Sequence, residues 1–141
     1  MAPAIFFGSS FFFHLLWESL QAPLYAGYTS FAQHFPICLK AAVGDMFFML
    51  VVYLALALIH RNFFWAAQRS SYAHPMTWVL PLFIGIFFAI SFEWWAVYAA
   101  HRWAYGAMPL IPILHVGVTP VLQMIVVPTI TLILSARFTI Q

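Results

Sequence analysis

The chain has 141 residues, of which 65% are hydrophobic and 6% are charged, and its formal net charge is +2. In soluble domains about a quarter of the residues are charged. A soluble fold of the present composition would therefore expose large apolar patches to water. The composition therefore predicts a single integral membrane domain over residues 1–141. The small and scattered positive charge argues against nucleic acid as a partner. The single cysteine, Cys38, excludes an internal disulfide.

Four apolar segments are each long enough to span a bilayer, which takes about 20 residues in a helix. In chain order they cover residues 4–22, 41–59, 77–100 and 118–136, and each is followed by proline or by a polar residue. The expected fold class is therefore an all-α membrane protein, built as a bundle of four transmembrane helices. Pro128 is expected to kink the fourth helix.

The three connections between these segments differ in composition. Residues 60–76 are polar and predict a solvated loop at one membrane face. Residues 23–40 and 103–117 are apolar but interrupted by prolines, and their tryptophan and tyrosine residues are typical of a membrane interface. We expect these two segments to cap the bundle at the opposite face.

The distribution of basic residues predicts an orientation. Arg61, Arg69 and Arg137 lie on the side that holds both termini, whereas Lys40 and Arg102 lie on the other side. Cytoplasmic segments carry the excess of lysine and arginine, so both termini are predicted to be cytoplasmic. The expected location is the inner membrane of a bacterium.

The two halves of the chain resemble each other. Residues 12–18 and 87–93 both read Phe-Phe, three residues, an aromatic residue and glutamate. If the chain is duplicated, each half is a helical hairpin, and a pseudo-two-fold axis along the membrane normal relates the two. Glu18 and Glu93 would then face each other across that axis. Phenylalanine is abundant, with 16 residues, so a chance match is the alternative.

All three acidic residues fall inside the predicted helices or at their edges. Glu18 lies near the end of the first helix, Asp45 near the start of the second, and Glu93 in the last third of the third. In an up-down-up-down bundle these positions lie in one leaflet, together with Gln123 of the fourth helix. Ionisable residues inside a membrane are costly and are usually functional, so the set predicts a polar pocket within the bilayer.

The residue types in this pocket suit acid–base chemistry. His14 and Glu18 lie four residues apart on one helical face and would form a proton-transfer pair, while Glu93 would stabilise developing positive charge. These three are the candidate catalytic residues. The candidate ligand-binding residues are Asp45, Gln123, Trp94, His101, Arg102 and Lys40.

Two other interpretations of the same residues remain open. A closed salt-bridge network would pair Asp45 with Lys40 and Glu93 with Arg102. A metal site would need further ligands beyond the His14 and Glu18 spacing, so no metal is predicted. The sequence indicates no particular cofactor.

Residues 13–18, which read Phe-His-Leu-Leu-Trp-Glu, resemble the HxxxE of the emopamil-binding sterol-isomerase superfamily. The resemblance covers one helix and implies a compact bundle whose intramembrane acids serve a lipid-like substrate. A glutamate in the first of four helices also looks like the small multidrug transporters, which would imply proton-coupled export by an antiparallel dimer. The proline-rich caps and the second glutamate, Glu93, argue against membership of that group.

The leading hypothesis is a small polytopic protein that binds a lipid-like or polyisoprenoid molecule in this pocket, with acid–base chemistry and simple binding both open. The alternatives are a non-catalytic accessory or assembly subunit of a larger membrane complex and a proton-coupled small transporter. The expected partners are membrane lipid, the lipid-like molecule, and either further copies of the chain or a larger membrane complex.

Overall fold

A computed structural model describes residues 2–139, so the ends of the predicted domain, residues 1 and 140–141, lie outside it. Within the described range the secondary structure is helical, apart from two isolated antiparallel bridges. The helices are α1 (Ala2–Gln21), α2 (Phe31–Ile59), α3 (Arg69–Ala73), α4 (Met76–Trp94) and α5 (Val118–Arg137). Short 3-10 turns cover Ala22–Leu24 and Trp65–Ala67, and a π-helical turn covers Trp95–Ala99.

Three of these helices are long and apolar enough to cross a membrane. They are α2, α4 together with its π-helical extension, and α5. The 20-residue α1 is less apolar, because its inward side carries Ser10, His14, Glu18 and Gln21. The all-helical fold class is confirmed over residues 2–139, and a fourth membrane span in α1 stays a prediction.

The second helix begins well before the predicted start at residue 41. It starts at Phe31 and runs through Pro36, which removes one backbone hydrogen bond but does not end the helix. Residues 31–37 are almost entirely exposed, so these turns project from the bundle and do not cap it. At 1.5 Å per residue, the 29 residues of α2 span about 43 Å, more than the hydrocarbon core of a bilayer.

The helices pack in a ring in which α1 lies between α2 and α5, and α4 lies against α5. The contact between α2 and α4 is the sparsest of the four and includes the rings of Phe48 and Phe88, whose centroids are 5.9 Å apart. The closest approach of α4 and α5 is at Gly85, where a Cβ atom would lie 2.5 Å from the carbonyl oxygen of Met124. Small residues allow such close packing between membrane helices.

An aromatic cluster joins the helices at the end where α1 begins. Phe6, Tyr53, Trp65 and Tyr72 are packed with ring centroids 5.4 to 5.9 Å apart. Trp65 is fully buried, and its Nε1–H donates to the carbonyl of Tyr53 at 3.1 Å. The segment 60–76 is therefore not uniformly solvated as predicted, because an apolar tryptophan gains more by inserting into the bundle than by lying at its surface.

The buried faces of α1 and α4 coincide when Glu18 is aligned with Glu93. The matched buried positions are Ala2 with Thr77, Phe6 with Pro81, Ser10 with Gly85, and His14 with Ala89. Any two helices that bury one face in the same bundle can show this period, so the internal duplication stays a prediction.

Candidate functional site

The polar residues predicted to form a pocket lie where α1 ends and α5 begins. Gln123 of α5 is buried at the centre of this group and links residues from two other helices. Its Nε2–H donates to Asp45 Oδ2 at 2.8 Å, and its Oε1 accepts a hydrogen bond from Gln21 Nε2 at 3.1 Å. Gln21 Nε2 also donates to Glu18 Oε1 at 2.9 Å, so one hydrogen-bonded chain connects Glu18 to Asp45. We call His14, Glu18, Gln21, Asp45 and Gln123 the carboxyl network.

His14 pairs with Asp45 and not with Glu18. The Nδ1 atom of His14 lies 3.2 Å from Asp45 Oδ2, and the imidazole is completely buried. The same nitrogen lies 3.0 Å from Gln123 Nε2. The two partners across the helix interfaces hold the ring, so the interpretation of His14 and Glu18 as a directly paired acid and base differs from the geometry.

Glu93 lies at the same end of the bundle, on α4, and is 5% exposed. Its Oε2 accepts a short hydrogen bond of 2.6 Å from the Tyr105 hydroxyl, and its Oε1 lies 3.5 Å from the Tyr25 hydroxyl. The backbone N–H of Gly117 donates to the Tyr105 oxygen at 3.0 Å, which fixes the phenol. Within residues 2–139 no hydrogen bond joins the Glu93 side chain to the carboxyl network, so Glu93 forms a neighbouring group with its two tyrosines.

The two tyrosines are held by a backbone bridge between the segments that follow α1 and α4. Ala26 N–H donates to the Ala104 carbonyl at 2.9 Å, and Gly106 N–H donates to the Leu24 carbonyl at 2.9 Å. Burial, followed by the nearby Glu93 carboxylate, raises the pKa of both Tyr25 and Tyr105 above the ordinary phenol value. Both phenols are therefore neutral hydrogen-bond donors to Glu93.

The basic side chains that were predicted to bind the ligand lie outside the carboxyl network. Lys40, His101 and Arg102 are exposed, and the Arg102 guanidinium lies 5.8 Å from the centre of the Trp95 ring. Within residues 2–139 the salt-bridge contacts comprise only the histidine–aspartate pair of the carboxyl network. The alternative of a closed network of Asp45 with Lys40 and Glu93 with Arg102 is therefore not formed in the described chain.

Trp94, also predicted to bind the ligand, is 56% exposed. It lies on the outer surface with Tyr98, Ile113, Leu114 and His115, around a shallow depression. The structure does not bring Trp94 to the carboxyl network, because consecutive residues on a helix point about 100° apart and Glu93 occupies the inward position.

The sequence did not predict several of the residues that lie in the site. Tyr25 and Tyr105 read as interfacial aromatics, and no pattern linked either of them to Glu93. Gln21 lies three residues after Glu18, a spacing that places the two side chains on one face and was the available signal. Thr119, whose hydroxyl donates to Gln21 Oε1 at 2.9 Å, completes the set.

Access to the site is unequal among its members. His14, Gln21, Gln123 and Glu93 are buried, whereas Glu18 is intermediate and 14% of the Asp45 side chain is exposed. Glu18 and Asp45 are therefore the partly exposed members of the carboxyl network.

An open apolar groove of about 230 Å³ runs along the outer side of α4. Phe87, Phe88, Ser91, Phe92 and Trp95 line it. The guanidinium of Arg102 lies over the Trp95 ring at one end of this groove.

The carboxyl network can hold and exchange protons through its carboxyl groups and its imidazole. No group of three or more histidine, cysteine, aspartate or glutamate residues within residues 2–139 is arranged to hold a metal ion. Searches against family models, curated proteins and solved structures gave no match to this chain.

Proposed function

We propose that this chain is a small polytopic membrane protein whose carboxyl network binds a lipid-like or isoprenoid molecule and exchanges protons with it. The observation that carries the proposal is a charge imbalance inside the bundle. Three carboxyl groups share one end of the helices, and no lysine or arginine within residues 2–139 approaches any of them within 4 Å. Several uncompensated negative charges are unstable in a low-dielectric interior, so the site favours a bound proton or a bound cationic or hydrogen-bonding group.

Two features support a ligand that arrives from the bilayer. The two accessible acids, Glu18 and Asp45, lie on helices expected to contact lipid, so water is not the natural medium around them. The groove along α4 is apolar and ends beside Arg102, an arrangement that suits a hydrocarbon chain with a polar headgroup.

The geometry supports different roles for the acids. Asp45 and His14 form the proton-transfer pair, because the imidazole passes protons between its two nitrogens and only Nδ1 is held by the carboxylate. Glu93 is held in place by its short hydrogen bond from Tyr105, which suits a fixed group that stabilises positive charge on a ligand. Glu18 is the acid that meets the ligand at the accessible side.

The test is ligand retention by purified protein. Wild type and the variants Glu18→Gln, Asp45→Asn and Glu93→Gln are extracted in mild detergent and examined by native mass spectrometry and by analysis of the co-purified lipid. We expect wild type to retain a defined lipid-like species and each variant to lose most of it while keeping its helical circular dichroism. Arg69→Gln, an exposed change at the other end of the bundle, is the control and should retain the species. Equal retention by all three acid variants and wild type contradicts the proposal.

An accessory subunit of a larger membrane complex is the second candidate function. The first turns of α2 favour it, because residues 31–37 project from the bundle and Phe31 and Ile37 are 55% and 61% exposed. Apolar turns of this kind are suited to contact another membrane protein. Chemical crosslinking from positions 31 and 37 in membranes tests this candidate: an adduct with a second polypeptide supports it, and labelling by lipid alone contradicts it.

The same proposal includes the membrane arrangement. Four spans, with α1 as the first, would place both termini in the cytoplasm if the basic-residue bias decides the orientation. A bacterial inner membrane is the proposed location, and the proposed proton-coupled transport alternative would use the same acids. Accessibility labelling of cysteines introduced near each end of the described chain tests the orientation.

A further inference from the structure

Serine and threonine hydroxyls on these helices usually bond back to their own helix. Ser9, Ser19 and Thr129 donate to the carbonyl one turn earlier, at 2.6, 2.8 and 2.7 Å. This is the common way to satisfy a hydroxyl in an apolar medium. These three residues give the reference against which the inward-facing hydroxyls are compared.

Three inward-facing hydroxyls behave differently. Ser10, Thr131 and Ser135 are each completely buried, and their side-chain oxygens have no hydrogen-bond partner within residues 2–139. We call these residues the hydroxyl row. A buried hydroxyl without a partner is destabilising, and native structures usually satisfy such groups with bound water. Three such groups on the buried sides of α1 and α5 therefore indicate a place for ligands as small as water.

The hydroxyl row starts at the carboxyl network. Ser10 lies one helical turn before His14 on α1, and Thr131 and Ser135 lie one turn apart on α5. The two helices are antiparallel neighbours that meet at the contact between His14 and Gln123. The hydroxyl row therefore runs along the α1–α5 interface, away from the acids and toward the opposite end of the bundle.

The far end of the hydroxyl row meets a phenol. The Tyr72 hydroxyl lies close to the Ser135 hydroxyl and donates to the Ala66 carbonyl at 2.9 Å. Tyr72 lies outside the long helices, and burial raises its pKa to about 12, so it is a neutral donor and acceptor. Tyr72, itself buried, is thus the polar group at the end of the hydroxyl row, at the end of the bundle opposite the acids.

The near end is the free nitrogen of His14. If Nδ1 carries the proton it donates to Asp45, and Nε2 is then an acceptor. If Nε2 carries the proton, Nδ1 accepts from Gln123 instead. In both tautomers the buried Nε2 has no partner within residues 2–139, so it needs a donor or an acceptor supplied by another molecule.

We infer that the hydroxyl row and His14 Nε2 bind a file of water molecules that carries protons between the Tyr72 end of the bundle and Asp45. A proton delivered to Nε2 by the nearest water is balanced by the Nδ1 proton passing to Asp45, and each water regains a proton from its neighbour. Only O–H and N–H bonds form and break, so no oxidant or reductant is required. The inference rests on the proposed function in one respect: it takes Asp45 as the acid that exchanges the proton.

The test uses the whole chain reconstituted in liposomes that enclose a pH-sensitive dye. We expect an imposed pH gradient to drive proton flux above that of protein-free liposomes. Thr131→Val and Ser10→Ala should each lower the flux by about fivefold, the factor that corresponds to one net hydrogen bond in the barrier. Thr129→Val and Ser9→Ala remove neighbouring hydroxyls that already bond to their own helix and should leave the flux unchanged.

Solid-state NMR gives a second readout that does not require flux. Polarisation transfer from water should reach the Thr131 side chain and should not reach Thr129. Flux no greater than in protein-free liposomes, equal flux in Thr131→Val and Thr129→Val, or a dry Thr131 side chain each overturns the inference. Glu18→Gln should keep the water signal at Thr131, because Glu18 is not part of the hydroxyl row. Ligand retention in the same variant tests the lipid-binding proposal separately: unchanged retention counts against lipid binding and leaves the water file in place.

Discussion

His14 and Asp45 belong to different helices, and the imidazole Nδ1 of the first lies 3.2 Å from the carboxylate Oδ2 of the second. This contact takes His14 away from Glu18, the acid one turn along its own helix. The imidazole is completely buried between the helices, where charge is poorly screened, and 14% of the Asp45 side chain is exposed. The carboxyl network therefore has its imidazole at the helix interface, and two hydrogen-bonded residues, Gln21 and Gln123, separate Glu18 from Asp45.

Gln123 should be the residue on which the carboxyl network depends most for stability. Gln123→Leu removes the donor to Asp45 and the acceptor for Gln21, so two hydrogen bonds between helices are lost at once. We expect the change to lower the stability by about 2 kcal/mol, since each net hydrogen bond contributes about 1 kcal/mol. Thermal unfolding in detergent measures it, with the exposed Gln68→Leu as the control. Equal stability of the two variants would show that Gln123 has no such role.

The two tyrosines beside Glu93 should differ in how much each contributes to the stability of the fold. The Tyr105 hydroxyl donates to Glu93 at 2.6 Å, whereas the Tyr25 hydroxyl oxygen lies 3.5 Å from the Glu93 carboxylate. A short bond to a carboxyl group is stronger than a long one, so we expect Tyr105→Phe to cost about 1.5 kcal/mol and Tyr25→Phe about 0.5 kcal/mol. Thermal unfolding of the two single variants compares them directly. A larger loss for Tyr25→Phe would reverse this assignment.

Gly85 should not tolerate a methyl group. In Gly85→Ala the new Cβ would lie 2.5 Å from the backbone carbonyl of Met124, so α4 and α5 must separate. We expect a loss of about 2 kcal/mol, typical of overpacking at a close contact. Gly44→Ala is the matched control, because nothing lies within 4 Å of a Cβ there and helix propensity favours alanine by up to about 1 kcal/mol. Opposite signs for the two variants in thermal unfolding are the expected result.

The pH dependence of stability should contain a contribution from His60. Burial, and then the neighbouring His74, lower the pKa of His60 below 6.5, so the unfolded chain binds this proton more readily than the folded chain. The contribution is fully present above pH 6.5 and is lost as the pH falls through that value and below. His60→Gln keeps a polar partner for Thr77, 2.9 Å from His60 Nε2, and removes the titration.

The measurement for His60 compares thermal unfolding between pH 7 and pH 5. We expect the melting temperature of wild type to fall more steeply on acidification than that of His60→Gln. His34→Gln, a change at the other end of α2, serves as the control for loss of a histidine. Identical slopes for wild type and His60→Gln would exclude this contribution.

Much of the helical architecture could be predicted from local properties. The predicted segments 77–100 and 118–136 lie within a few residues of α4 with its π-turn and of α5, because long apolar runs specify helices wherever they pack. The start of α2 at Phe31 differs from the predicted start at residue 41, because a proline such as Pro36 is typical of a helix boundary. A proline near the start of an exposed helix costs one hydrogen bond, which water or lipid headgroups can replace.

The three acidic residues also show which properties of the site follow from the sequence and which depend on the folded chain. The sequence by itself determined that Glu18, Asp45 and Glu93 belong to apolar helices, because hydropathy and length are properties of each segment alone. Only the tertiary structure decided their partners: Asp45 with His14 and Gln123, Glu18 with Gln21, and Glu93 with Tyr105. Hydrogen bonds between helices depend on rotations and separations of a few ångströms, and the spacing of residues along one helix does not encode them.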